Sequence, residues 1–351
     1  MKSTSRALSI IIVVFSLAAW PIRSFSAESS GSPQNIRIGV YQASIWSVPI
    51  FAAQQEGFFK RNGIAAELVP VSGGPNALAA LAGRSIDVFS ASPELVLPAI
   101  GRGVDVQVIT GLTKMFWELL VNNSVPRPTA KYPASLDFLR GKKIGVIALG
   151  SNSDAMAQAM LSDAKIAPSQ ITRLAVGIGP TAAAALERNL VQGLVTAPPI
   201  SYDILATGKA YVLVDLRDPS VGPSNIRDMD YEANWANRSY ISAHPQLIAR
   251  FQKSIAQAIV WLQTPSNKDK VKKFFANVMP VPAVLNNLDT VVQEDVPVFT
   301  AAYDVKSLAA YNAFDVKYGF LTQPLTNVSR LLAPGVPATN QLVRRLAGNA
   351  H

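Results

Sequence analysis

Short apolar runs alternate with longer segments of helical period along most of this chain. Residues 36–40, Ile-Arg-Ile-Gly-Val, put apolar side chains on every second position and predict a strand. Residues 47–55 predict a helix, with Pro49 near the start and Gly57 just past the end. A strand at 66–71 follows. Gly73-Gly74-Pro75 opens an Ala/Leu helix that stops at Gly83, residues 86–89 read as a buried strand, and Pro93 starts a further helix. After Leu139-Arg140-Gly141-Lys142-Lys143 the same grammar returns: strand 144–147, helix 153–165, strand 173–176, helix 181–190 and strand 193–195. Pro198-Pro199 then precede a helix that ends near Gly208. The alternation predicts an α/β fold with parallel sheets covered on both faces.

The two stretches read as copies of one unit. Ile38-Gly39-Val40 matches Ile144-Gly145-Val146 at an offset of 106, and Ala79-Ala80-Leu81 matches Ala184-Ala185-Leu186 at 105, as Pro93 matches Pro198. The matches keep their order and fall on elements of the same type, so they predict a duplicated lobe. In open α/β sheets ligands sit beyond the carboxyl ends of the strands. Those ends are the loops 41–46 and 90–92 in one lobe and 148–153 and 196–198 in the other, each feeding a helix N-terminus with free N–H donors. The candidate ligand-binding residues are therefore Gln42, Trp46, Ser90, Ala91 and Ser92 from the first lobe, and Ser151, Asn152, Ser153, Thr196 and Pro198 from the second. Trp46 suits a cleft wall, with interlobe packing as the alternative. The serines serve equally as helix caps.

Residues 215–230 are rich in Pro, Gly, Asp and Ser and read as a loop, followed at 232–237 by a crossing back to the first lobe. Trp235 in that crossing is a further ligand candidate, or hinge packing. A long amphipathic helix begins at His244-Pro245, with Leu247, Ile248, Phe251, Ile255, Ile259 and Leu262 at three- and four-residue spacing. His244 reads as its N-terminal flank. The remainder reads as mostly helical cladding for the first lobe, with Pro297 at a break. The expected organisation is a signal peptide over residues 1–26, a first lobe over 35–115, a second over 116–232, and a return to the first over 233–351.

The expected signal peptide rests on Lys2 and Arg6, an uncharged stretch at 7–20, and small residues at Ser24 and Ser26 ahead of the cleavage point. The apolar stretch is shorter than the ~20 residues that span a bilayer. The expected location is the periplasm. The chain has no cysteine and only two histidines, His244 and His351. That composition excludes lipidation, disulfides, thiolate chemistry and Cys or His metal sites, and leaves no cofactor to expect. The formal charge of +9 falls to +6 once Lys2, Arg6 and Arg23 leave with the signal. No dense Lys/Arg run with interleaved aromatics points to nucleic acid. With 49% hydrophobic residues the chain can bury one or two substantial cores.

Several runs carry a resemblance to a known family. They are Ile38-Gly39-Val40-Tyr41; the stretch Glu56-Gly57-Phe58-Phe59-Lys60-Arg61-Asn62-Gly63-Ile64; Ala77-Leu78-Ala79-Ala80-Leu81-Ala82-Gly83; Leu139 to Val146; and His244-Pro245-Gln246-Leu247-Ile248. In this order they resemble the type 2 periplasmic binding proteins of the nitrate, sulfonate and taurine group, with thiamine-pyrimidine-precursor binders as relatives. The resemblance implies a two-lobed Venus-flytrap fold with two hinge crossings, near 114–116 and 232–237. It also implies a monomer that closes on a small-molecule solute and delivers it to an inner-membrane ABC permease. Gly150-Ser151-Asn152-Ser153 matches the family's hydroxyl-rich helix start for anions. Thr196-Ala197-Pro198 stands where members often have Trp-Asp-Pro or Trp-Glu-Pro, and Leu194-Val195 where Asp-Ala is usual. The cleft is thus expected to be poor in carboxylates and to take a small organic anion or aromatic solute, with Lys114 and Phe116 as further contacts or hinge residues. Enzymes related to this fold use cysteines that are missing here, so a binding protein and not an enzyme is expected. A sensory module for a membrane receptor is the alternative.

Overall fold

The alternation of residues 36–40 becomes strand β1 (Gln34–Val40), in which Ile36, Ile38 and Val40 are fully buried. The computed structural model describes residues 32–348, so the expected signal peptide lies outside the described residues. β1 pairs in parallel with β2 (Ile64–Pro70) and β3 (Val88–Ala91). β4 (Val106–Gly111) follows, then β5 (Glu118–Asn122), β6 (Lys143–Val146), β7 (Thr172–Ala175), β8 (Gly193–Thr196), β9 (Ala210–Asp215) and β10 (Ala233–Asn237). They form two five-stranded sheets, ordered β2-β1-β3-β10-β4 and β7-β6-β8-β5-β9. Helices clothe the sheets, giving the two-lobed α/β architecture.

The duplication extends to the detail of both sheets. Each carries one antiparallel strand between its third parallel strand and its last, β10 in the first lobe and β5 in the second. Each of these strands slips register at its second residue, between Asn234 and Trp235 in β10 and between Leu119 and Leu120 in β5. The turns after β1 and β6 also correspond. Ser47 Oγ accepts the Tyr41 N–H at 2.8 Å, and Ser153 Oγ accepts the Ile147 N–H at 2.8 Å, again 106 residues apart. Both serines are fully buried, so each satisfies an amide that the turn would otherwise strand away from water.

The antiparallel strands exchange lobes. β5 begins the second sheet immediately after the first crossing (112–117), and β10 re-enters the first sheet after the second (216–232). Residues 233–237 are therefore a central strand, not the crossing expected at 232–237. The crossings run side by side: Leu112 N–H donates to the Glu232 carbonyl at 2.9 Å, Tyr231 N–H to Thr113 at 2.8 Å and Leu216 N–H to Trp117 at 2.9 Å. Phe116 stacks on Trp117 with centroids 6.0 Å apart, and Trp117 Nε1 donates to Tyr231 Oη at 3.1 Å. Phe116 is buried in the first crossing, and Lys114 pairs with Asp228 at 3.1 Å.

The amphipathic pattern at 247–262 forms the helix Pro245–Gln263, preceded by the short helix Arg238–Ala243 with His244 between the two. It packs against the helix Val48–Gln55 of the first lobe, and the helix Val305–Lys317 packs against Pro93–Gly101. A Cβ on Gly111 would lie 1.9 Å from the Ala302 carbonyl oxygen, so only glycine lets this segment close on β4. The C-terminal region does not clad the first lobe alone. The helix Pro282–Leu285 packs against Ile200–Ala206 of the second lobe. Asp295 accepts from Tyr202 Oη and from Arg217, both at 2.7 Å, and Arg217 also binds Glu118 at 2.7 Å. Burial pushes Glu118 and Asp295 up to about 7, which the Arg217 charge only partly offsets.

Candidate functional site between the lobes

The carboxyl ends of β1, β3 and β6 converge on a cavity of about 400 Å3. From the first lobe it is lined by Tyr41, Trp46, Gly73, Gly74, Pro75, Ser90, Ala91, Ser92, Glu94, Leu95 and Glu232, and from the second by Leu149, Gly150, Ser151 and Asn152. The rings of Tyr41 and Trp46 meet edge to face, with centroids 5.7 Å apart at 73°. Tyr41 Oη donates to the Ser90 carbonyl at 3.2 Å, which holds the phenol against β3. Gly74 is tight: a Cβ there would come within 2.5 Å of the Leu95 side chain. Gly73 sits at φ 115°, so the Gly-Gly-Pro turn brings backbone to the cavity edge where side chains do not fit.

The lobes touch directly across the cavity rim. Asn152 Nδ2, at the start of the helix Asn152–Asp163, donates to Ser92 Oγ at 2.7 Å, at the start of the helix Pro93–Gly101. Ser92 and Ser151 both precede helices, yet neither side chain caps its own helix. Ser151 Oγ donates to the Ala148 carbonyl at 2.6 Å and lies 3.0 Å from Ser153 Oγ.

Of the residues singled out from sequence, Trp46, Ser90, Ala91, Ser92, Ser151 and Asn152 meet around this cavity. Five do not line it. Gln42 is exposed beside Tyr41, and Ser153 is spent on the turn after β6. Thr196 and Pro198 are buried at the end of β8. Trp235 lies in the centre of β10 with no exposure, its Nε1 donating to the Ala91 carbonyl at 3.0 Å. It braces the cavity floor from behind.

The cavity is not poor in carboxylates. Glu94, in the first turn of its helix, and Glu232, the last residue before β10, both line it at 4% and 3% exposure. Glu94 carries two buried oxygens without hydrogen-bond partners. Desolvation pushes Glu94 upward, opposed in part by its own amide and by the Ser92 and Tyr231 hydroxyls. Desolvation pushes Glu232 well above the carboxylate range, and the neighbouring Glu94 adds to it. Among the described residues no lysine, arginine or histidine lines the cavity. A glutamate at a helix start is ordinary in sequence, because it complements the helix dipole, so nothing marked Glu94 as a site residue. Glu232 was hidden by the misplaced crossing.

Two sheets with exchanged strands, paired crossings and a cavity at the strand ends define the periplasmic-binding-protein fold. The profile of the family described as NMT1/THI5 like matches residues 45–268, more than half of the chain, and the chain belongs to that family. No curated protein matches the sequence. Among solved structures, the periplasmic aliphatic sulphonate binding protein SsuA from Escherichia coli is similar at 21% identity and TM-score 0.67, covering 88% of this chain and 97% of that one. A putative periplasmic sulfonate-binding protein from Methylobacillus flagellatus is similar at 17% identity and TM-score 0.70, covering 91% and 97%. The periplasmic nitrate-binding protein NrtA from Synechocystis is similar at 13% identity and TM-score 0.67, covering 90% and 89%. At these identities the likeness is one of fold.

Proposed function

We propose that this protein is the solute-binding component of an ABC import system, exported to the periplasm, where it closes as a monomer on a small molecule. The observation that carries the reading is the interlobe cavity itself, walled by strand-end loops of both lobes and bridged by the Asn152–Ser92 hydrogen bond. A solute in that position contacts the second lobe only when the lobes are together, so its binding energy favours the closed arrangement. A ligand that bound open and closed forms equally would shift nothing. The similarity to binding proteins for sulfonate and nitrate supports the class without transferring their ligands. The Tyr41 and Trp46 rings and Pro75 and Leu95 suit a small solute with a flat or apolar body. With no cysteine in the chain, covalent thiol catalysis has no nucleophile, which supports a binding role over an enzymatic one.

The test is thermal unfolding of the chain from residue 27 onward against a panel of small solutes, with small-angle scattering on each hit. At a hundredfold excess over its dissociation constant a ligand adds about 2.7 kcal/mol, several degrees in midpoint. A hit that also reduces the radius of gyration supports the reading. Stabilisation without compaction would turn it toward a static binding module.

A further inference from the structure

We propose that the solute of this cleft is a small flat organic cation, of the amidinium or protonated amino-heteroaromatic type, held by Glu232 with Glu94 beside it. This rests on the cavity being the solute site. Glu94 and Glu232 are almost wholly buried and line the cavity, and both carboxylate oxygens of Glu94 are buried without a hydrogen-bond partner among the described residues. A buried carboxyl in that state is costly unless something pairs with it. The cavity lining has no cation, and the nearby Lys114 is engaged with Asp228 and Asp230 at 3.1 and 3.7 Å. The described residues include no cluster of three His, Cys, Asp or Glu able to hold a metal ion, which favours an organic partner.

The other walls agree with that choice. A flat cation also gains from the aromatic rings of Tyr41 and Trp46, which line the cavity and pack edge to face on one another. Gly150, Ser151 and Asn152 opposite are neutral and accept or donate without adding charge. A sulfonate or carboxylate would meet two acids and no cation. It would bind only while both acids kept their protons, so its affinity would fall as pH rises.

A cation reverses that sign. In the empty cleft burial opposes the ionisation of both acids, which pushes Glu94 up to about 7 and Glu232 well above the carboxylate range. Cation binding leaves Glu232 as carboxylate and releases its proton to solvent, one proton out for one positive charge in. The titratable groups whose charges reach the pair are Tyr41, Tyr231, Tyr303, Tyr311 and Asp315, with Asp230 next to Tyr231 on the same crossing as Glu232. Burial raises all four tyrosines and keeps them neutral. Desolvation and Glu94 together hold Asp315 protonated, and Lys114 offsets part of the rise at Asp230. Glu232 is therefore the group whose proton a cation displaces, with Glu94 as the neighbouring acid.

Calorimetric titration of the purified protein with benzamidine and protonated 4-aminopyridine, against benzenesulfonate and benzoate, at pH 6 and pH 8 tests this. The expected result is binding of the cations only, tighter at pH 8. The gain approaches about tenfold per pH unit for each proton released. Glu232→Gln should weaken the cations at least tenfold and flatten the pH dependence. The wild-type pH dependence stands on its own if that variant fails to fold. Tighter binding of benzenesulfonate or benzoate, strengthening toward pH 6, overturns the cation while leaving the cleft in place, provided Ala91→Trp abolishes it. Binding that survives Ala91→Trp lies elsewhere and overturns both readings. No heat from either cation at millimolar concentration also overturns the cation proposal, whereas the unfolding panel decides the cleft separately.

Discussion

The two lobes share a scaffold to within a residue and differ in almost everything they present to the cavity. Position for position, Tyr41 of the first lobe corresponds to Ile147 of the second, Trp46 to Asn152 and Ser92 to Ala197, whereas Ser47 and Ser153 are the same residue doing the same work. The shared pair faces backbone; of the diverged positions Tyr41, Trp46, Ser92 and Asn152 line the cavity, and Ile147 and Ala197 do not. The first lobe brings aromatic rings and both acids, and the second brings glycine, serine and asparagine. Under the proposed function, that difference would give discrimination to the first lobe and the sensing of closure to the second. A turn amide has one solution, a buried acceptor, while a cavity wall is free to change once the turn is fixed.

The hardest way to break the comparison is at the equivalent bulges of the central strands. Trp235→Ala should cost about 3–5 kcal/mol and its counterpart Leu120→Ala about 2–5 kcal/mol, read by urea unfolding, since both side chains are fully buried. Normal stability in the Trp235 variant with lost ligand binding would return that indole to the site. Next in size, Ser47→Ala and Ser153→Ala should each cost about 1–3 kcal/mol by the same measurement, through a stranded buried amide. A cost at one serine and none at the other would end the symmetry.

The acids sharpen the comparison through pH. Burial pushes the Glu94 carboxyl from its ordinary 4.5 up to about 7, so the folded state holds the extra proton between those values. Stability is therefore greatest below about pH 4.5 for this group and falls as pH rises toward 7, by on the order of 3 kcal/mol. Thermal midpoints across that window should flatten in Glu94→Gln, and a variant of the second-lobe wall, Ser151→Ala, should leave the slope alone. The smallest effect belongs to Asn152→Ala, which removes the bridge to Ser92. About 0.5–1.5 kcal/mol of closure is lost, seen as weaker ligand binding with little change in the unliganded midpoint.

The lobes, their duplication and six of the cavity residues were legible in the chain because they are local. Alternating apolar positions, Gly57 and Gly83 at helix ends, and Pro93 and Pro49 at helix starts fix elements within a few residues of themselves. The offset of 106 then carried the loops of one lobe onto those of the other. Trp235 failed for the opposite reason. An indole near a crossing and an indole in a strand covered on both faces look alike in sequence, and only the pairing of β10 with β3 and β4 buries it.

By itself, then, the sequence determined two copies of an α/β unit and the loops at which they would meet. The tertiary structure alone decided that β5 and β10 change places between the sheets, and with them that Glu232 arrives at the cavity beside Glu94. Strand exchange depends on hydrogen bonds between residues more than a hundred positions apart, as Asn234 with Ser90 and Thr110 illustrates. An acid's character depends on what closes over it. Neither quantity is written in the residues on either side.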